Sequence, residues 1–243
     1  MATGFLGFRR RLVLFICWAA LWPVWFVLAW YPISTGLTRM AAVVLVLMLW
    51  AGAVGLSWRW RPLRGILLGL TAIVLILPLL PGRQNDPTAM RNAHVQSLRG
   101  YHGAPYVWGG ENRCGIDCSG LVRKGLVWAD LRRGLMSLDD RLLRRSLDLW
   151  WHDASASHLG DGYGGRTRRI CTTAGINQLD HAGILPGDFA ITATGIHALV
   201  YIGDQNWMEA DPGAGKVITV RVPTNGIGWF DQPIHVMRWT QFD

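Results

Sequence analysis

Asp117-Cys118-Ser119-Gly120 opens an amphipathic run, with Leu121, Val122, Leu126 and Val127 on one side and Arg123 and Lys124 off it. The pattern predicts a helix from Ser119 with Asp117 as its N-cap, which puts Cys118 in the first turn. At that end the unpaired amides and the helix dipole favour a thiolate. The same amides can hold an oxyanion as it develops on an attacked carbonyl. A thiolate nucleophile needs a base, and the base needs a partner to orient it. His197 heads the apolar run His197-Ala198-Leu199-Val200-Tyr201-Ile202, and Glu209 and Asp211 follow across a turn. These residue types point to nucleophilic acyl transfer by Cys118, with His197 as base and Glu209, or alternatively Asp211, as orienter.

Strands must bring these groups together. Residues 189–192, 197–202 and 207–210 read as three strands separated by turns at Leu185-Pro186-Gly187-Asp188 and Gly203-Asp204-Gln205-Asn206. His197, Leu199 and Tyr201 share a face. If the second turn pivots on Asp204, Asp211 lies opposite His197 and Glu209 opposite Leu199, so both acids share the histidine face. A plain two-residue turn at Asp204-Gln205 puts both on the other face, so the triad requires an odd-numbered loop or a bulge.

Each residue also has a plainer reading. Cys118 can be an inert core cysteine, His197 a satisfied strand-end histidine, and Glu209 and Asp211 hairpin surface charges. Cys114, Cys118 and Cys171 lack a metal-site spacing, so no metal or cofactor is expected. In an oxidising compartment a Cys114–Cys171 disulfide that leaves Cys118 free is the simpler expectation, although connectivity is not legible in sequence. Arg166, Arg168 and Arg169 read as a solvated loop, and Trp150, Trp151, Trp207, Trp229 and Trp239 as core.

The charge distribution separates the chain into two parts. Net charge is +8, yet all acidic residues lie after residue 85. The first 82 residues carry seven Arg and no acid, while the remainder holds 17 Lys and Arg against 16 Asp and Glu. Basicity confined to one apolar third argues against nucleic-acid binding, which needs a basic patch on the folded domain. Three uncharged stretches, about residues 12–31, 41–58 and 65–81, predict three transmembrane helices over residues 1–82. Tryptophans near their ends suit membrane interfaces. Arg9, Arg10 and Arg11 precede the first span, Arg39 alone lies between the first and second, and Arg59, Arg61 and Arg64 lie between the second and third. The positive-inside rule places the N-terminus in the cytoplasm, and three crossings deliver the rest to the outer side. A cleaved signal peptide fits less well, because the first apolar run is long and no small-x-small site follows it. Residues 83–92 read as a polar linker, and residues 93–243 as one domain of ordinary size. A helix is expected from Ala89 to Leu98, ending at Gly100.

Tyr106-Val107-Trp108-Gly109-Gly110, then Asp117-Cys118-Ser119-Gly120-Leu121-Val122, then Pro186-Gly187-Asp188, then His197 heading a strand that ends Tyr201-Ile202-Gly203, resembles the NlpC/P60 family of bacterial cell-wall cysteine peptidases. The resemblance spans about residues 89–223. It implies a papain-like α+β domain, with helices against an antiparallel sheet. It implies hydrolysis of peptidoglycan peptide stems, typically between D-glutamate and the diamino acid. Cys118 matches the family nucleophile, His197 its base, and Glu209 the third polar position, where the family more often has His, Asn or Gln. Tyr106 matches a tyrosine near the nucleophile and oxyanion, and Asp117 and Ser119 match residues that hold the free amino end of the stem peptide. Residues 131–181 exceed the usual family length and include an expected helix over residues 139–151.

The resulting expectation is a multi-pass protein of the bacterial cytoplasmic membrane with an extracytoplasmic cysteine endopeptidase domain, whose partners are peptidoglycan stem peptides and the lipid bilayer. Two alternatives keep the fold. One is an amidase or acyltransferase acting on lipid-linked or small amides, and the other is an inactive wall-binding or partner-docking domain.

Overall fold

The computed structural model describes residues 2–82 and 86–243, and their side chains except at 2–8, 10 and 78. Residues 83–85 of the expected linker, and the side chain of Arg10, therefore lie outside the described residues.

The apolar third is helical. Helix α1 spans Ala2–Trp30, α2 spans Gly36–Leu56, and α3 spans Arg61–Ile76 before a 3-10 turn at Leu77–Leu79. Indole N–H groups join them: Trp18 Nε1 donates to Leu49 O at 2.8 Å, and Trp50 Nε1 to Thr71 Oγ1 at 3.0 Å. Their apolar side chains face outward, with Val27 65%, Leu47 63% and Leu75 66% exposed. Two of these helices, over Arg11–Trp30 and Gly36–Leu56, are long and apolar enough to cross a membrane. The third expected segment falls short of that length. It forms 16 α-helical residues, Arg61–Ile76, followed by the 3-10 turn.

Helix α4 spans Pro87–Arg99. It starts two residues before the expected Ala89, with Pro87 in the first turn and the Asp86 side chain accepting from Thr88 N. Much of the segment read as linker is therefore helix. A short hairpin follows, β1 (Glu111–Asn112) and β2 (Gly115–Ile116), then α5 (Cys118–Ser137), α6 (Asp140–Trp151) and α7 (Ala156–Gly160). The main sheet contains β3 (Thr167–Thr173), β4 (Phe189–Thr192), β5 (Ala198–Gly203), β6 (Asn206–Asp211), β7 (Lys216–Arg221) and β8 (Ile234–Trp239). Its order is β3-β8-β4-β5-β6-β7, and every pairing is antiparallel.

The sheet is buried on both faces. Phe189, Ile191, Ala198, Val200, Met208 and Trp239 pack with Leu98 of α4 and Leu121, Val122 and Leu126 of α5. Leu199, Tyr201, Trp207 and Val236 point the other way and pack with Ile176, Ile184 and Phe230. The α+β architecture with an antiparallel sheet agrees with the sequence reading. The long segment 131–181 contains α6, which packs along α5, and β3, which extends the sheet as an edge strand beside β8.

The turn between β5 and β6 resolves the parity problem. Asp204 and Gln205 both adopt positive φ, 53° and 61°, and Gly203 pairs with Asn206, so the turn has two residues. A register shift between Tyr201 and Gly203 then restores Tyr201↔Trp207 and Val200↔Met208. One extra residue in β5 thus returns Glu209 and Asp211 to the histidine face, as a bulge does.

Candidate active site

Helix α5 begins at Cys118, one residue earlier than the sequence pattern predicts, and Asp117 is its N-cap in extended conformation. Asp117 Oδ1 accepts from Gly120 N at 2.6 Å and from Ser119 Oγ at 3.0 Å, and Oδ2 accepts from Gly109 N at 2.9 Å. The carboxylate therefore caps the helix and staples it to the Gly109 turn. Burial pushes this carboxyl above its ordinary range, and the three donors pull it back. Gly120 is required by close approach: a Cβ there would lie 2.5 Å from Gly110 O.

Cys118 is 6% exposed, and its Sγ lies 4.0 Å from Ile196 O. His197 hydrogen-bonds Glu209 and interacts electrostatically with Cys118. Its Nε2 lies 2.6 Å from Glu209 Oε2. With Nε2 engaged there, Nδ1 is the nitrogen available to the thiol. Glu209 is fully buried and His197 nearly so, so water competes poorly for either bond. Burial opposes the imidazolium, but its interactions with Cys118 and Glu209 outweigh that and raise His197 to about 9. Burial also lifts the Glu209 carboxyl, while the bond to His197 opposes that shift.

Asp211, the other carboxylate considered as orienter, is used elsewhere. It accepts from Gly213 N at 3.1 Å and Ala214 N at 2.9 Å in the turn after β6, and from Trp229 Nε1 at 3.3 Å. Tyr106 lies within the field of Cys118 and Asp117. Burial, followed by those charges and that of Asp211, pushes its phenol to about 12, so it stays a neutral donor. Ser119 Oγ donates to Asp117.

Two residues of this site were not legible in the sequence. Trp229, read as core, stacks on the His197 ring with centroids 4.4 Å apart and planes 21° from parallel. Thr192 Oγ1 accepts from His197 N at 3.0 Å and Ile196 N at 3.2 Å, which fixes the backbone entering β5. Nothing in local spacing distinguishes Trp229 from a buried tryptophan or Thr192 from any strand-end threonine. The expected Cys114–Cys171 disulfide is absent: both are free thiols. Cys114 sits in the β1–β2 hairpin and Cys171 on the edge strand β3, so the two belong to different sheets. No group of three or more metal-ligating side chains occurs among the described residues.

Comparison with known proteins gives a family. No match was found among curated proteins. Among solved structures, the chain is similar to an NlpC/P60 family protein from Bacillus cereus ATCC 10987, at 16% identity and TM-score 0.39, covering 61% of this chain and 40% of that one. It is also similar to NlpC2 from Trichomonas vaginalis, at 18% identity and TM-score 0.41, covering 64% and 49%. A third is the peptidoglycan hydrolase RipB from Mycobacterium tuberculosis, at 20% identity and TM-score 0.39, covering 66% and 69%. The chain spans less than half the length of the first two. The NlpC/P60 family model matches residues 103–238, more than half of the chain and the stretch that holds Tyr106, Cys118, His197 and Glu209. On that match, the chain belongs to the NlpC/P60 family.

Proposed function

We propose that this protein is a membrane-anchored cysteine endopeptidase that hydrolyses peptidoglycan peptide stems, at the bond between D-glutamate and the diamino acid. The observation that carries the reading is the buried His197–Glu209 hydrogen bond beside Cys118, which sits at the N-terminus of α5. Family membership supports the substrate class.

In the proposed mechanism His197 takes the Cys118 proton, and the thiolate attacks the amide carbonyl. The oxyanion is held by first-turn amides of α5 and by the neutral Tyr106 hydroxyl. The imidazolium then gives its proton to the leaving amine, and a thioester forms. Neutral His197 activates water, which hydrolyses the thioester and restores the thiol. Glu209 holds the ring in the tautomer that presents Nδ1 to sulfur. Three of the roughly four lone-pair sites of Asp117 are filled by internal donors. It therefore has one acceptor direction left for a substrate amine, beside Ser119.

Membrane anchoring rests on α1–α3. The loop between α1 and α2 is hydrogen-bonded to the catalytic domain, with Glu111 N donating to Pro32 O at 2.9 Å, which supports a reading with loop and domain on the same side of a bilayer. In that reading α3 crosses as well. Its 16 residues and the three-residue 3-10 turn give about 24 Å plus about 6 Å of rise, close to the ~30 Å hydrocarbon core. With the Arg-rich start cytoplasmic, the domain faces the wall. The alternative of a lipid-amide substrate has less support: the cavity of about 460 Å³ between the membrane helices and α5–α6 is lined by none of Cys118, His197 and Glu209.

The test is product analysis. Full-length protein in nanodiscs, incubated with purified murein, is expected to release stem fragments with a new diamino-acid amino terminus, read by mass spectrometry. Turnover of lipid amides with intact stems overturns the peptidase reading in favour of the alternative. A second measurement addresses the ring that covers the base. Trp229→Ala is expected to lower kcat/KM roughly three- to tenfold, the value of one lost aromatic contact, while Trp229→Phe stays near the parent.

A further inference from the structure

The loop that joins α1 to α2 grips the part of the domain that seats the nucleophile. Asn112 Nδ2 donates to Tyr31 O at 2.8 Å, Glu111 N to Pro32 O at 2.9 Å, and Ser34 N to Gly109 O at 3.3 Å. Ile33 forms an antiparallel bridge with Gly110. Pro32 packs so closely on Gly115 that a Cβ there would lie 2.9 Å from its own Cβ.

One side chain holds this loop in place. Arg39, in the first turn of α2 and 2% exposed, donates Nε to Ser34 Oγ at 3.0 Å, Nη1 to Trp151 O at 2.9 Å and Nη2 to Glu111 Oε1 at 2.7 Å. Glu111 also pairs with Arg123 and, at 3.0 Å, with Lys124 Nζ. The Arg39 fork thus ties the loop, the end of α6 and the β1 strand together, a geometry that only a guanidinium supplies.

From β1 the connection to the thiol is short. Gly109 N donates to Asp117 Oδ2 at 2.9 Å, and Asp117 N donates to Gly110 O at 3.1 Å. Asp117 caps the helix whose first residue is Cys118. Gly109 and Gly110 are the two residues engaged on one side by the loop and on the other by the cap. Paired glycines have little intrinsic preference for one conformation, so beyond its own Gly110 N to Val107 O bond the turn is held by those two sets of bonds.

We propose that Arg39 is a positioning residue for Cys118: it holds the residue 31–35 loop against Gly109–Asn112 and so fixes the turn that seats the Asp117 cap. The membrane hairpin is then part of the frame of the active site as well as its tether. The inference rests on Cys118 being the nucleophile of the proposed reaction, but not on the identity of the substrate. Loss of Arg39 leaves Glu111 with Arg123 and Lys124, so no buried carboxylate is left unpaired and the fold is expected to survive.

The experiment uses full-length protein in nanodiscs and the variant Arg39→Gln. Two quantities are read: hydrogen exchange at the Ser34 and Glu111 amides, and the rate of Cys118 alkylation by iodoacetamide from pH 5 to 10, resolved by peptide mapping. Exposed Cys114 is the internal control. The expected result is faster exchange at both amides, Cys118 alkylation about tenfold slower at pH 7 with an altered pH profile, and unchanged labelling of Cys114. Faster exchange with an unchanged Cys118 profile overturns the proposal, because the loop then does not position the thiol. Slower alkylation without faster exchange overturns the route through the loop, and no change in either overturns both parts. If Arg39→Gln fails to fold, Arg39→Lys, which keeps the cation and loses the fork, carries the same comparison. Alkylation needs no murein, so failure to release stem peptides refutes the substrate reading while leaving this measurement intact.

Discussion

Cys118→Ala is expected to abolish release of stem fragments, lowering kcat by roughly 10⁴-fold or more, the scale of deleting the nucleophile of a triad hydrolase. The protein should remain folded. The Asp117 cap uses the amide of Gly120, the hydroxyl of Ser119 and the amide of Gly109, and none of these involves the thiol. The lost sulfur leaves only a small space at the buried helix end, so the melting temperature should move by only a few degrees. His197 changes more. Its electrostatic interaction with Cys118 supports its raised pKa together with Glu209, so the variant should titrate its histidine below about 9, read by NMR of the ring protons. Stem release equal to the parent's would refute the nucleophile.

The second large effect is expected at Glu209, where two substitutions separate hydrogen bonding from charge. Glu209→Ala leaves the imidazole Nε2 without its partner in a fully buried site. The ring loses its tautomer and its orientation together, and kcat should fall about 10²- to 10³-fold. Glu209→Gln keeps an acceptor oxygen at the same place, so it should retain activity within about tenfold of the parent. What it loses is the negative charge that favours the imidazolium. The sign follows from linkage: His197 is raised in the folded protein, so its protonated form adds stability that is fully present below about pH 6.5 and is lost as pH rises through about 9. Proton donation to the leaving amine disappears over the same upper range, which predicts an alkaline limb of kcat/KM near pH 9. In Glu209→Gln that limb should move toward neutral pH. A limb that stays in place would show that Glu209 does not set the protonation of His197.

The sequence alone disclosed the elements with short-range causes. Asp117 before an apolar run of helical period marked the start of α5, because capping and amphipathic spacing act over four or five residues. The strand over residues 197–202 and its return were visible for the same reason. Seven arginines and no acid in 82 residues separated an apolar third from the rest, since charge partition needs no folding to be counted. The third apolar segment read as one helix over residues 65–81, whereas the structure starts the helix at Arg61 and ends it at Ile76 before a 3-10 turn.

Tertiary structure decided the choice between two carboxylates two residues apart. Parity put Glu209 and Asp211 on one face, and only the observed bulge in β5 and the turn after β6 sent the first to His197 and the second to its own backbone. Trp229 reaches the imidazole from more than 30 residues downstream, and Arg39 reaches Glu111 from 72 residues upstream. Such contacts depend on how separate elements pack, and packing leaves no periodic trace in either partner's local sequence.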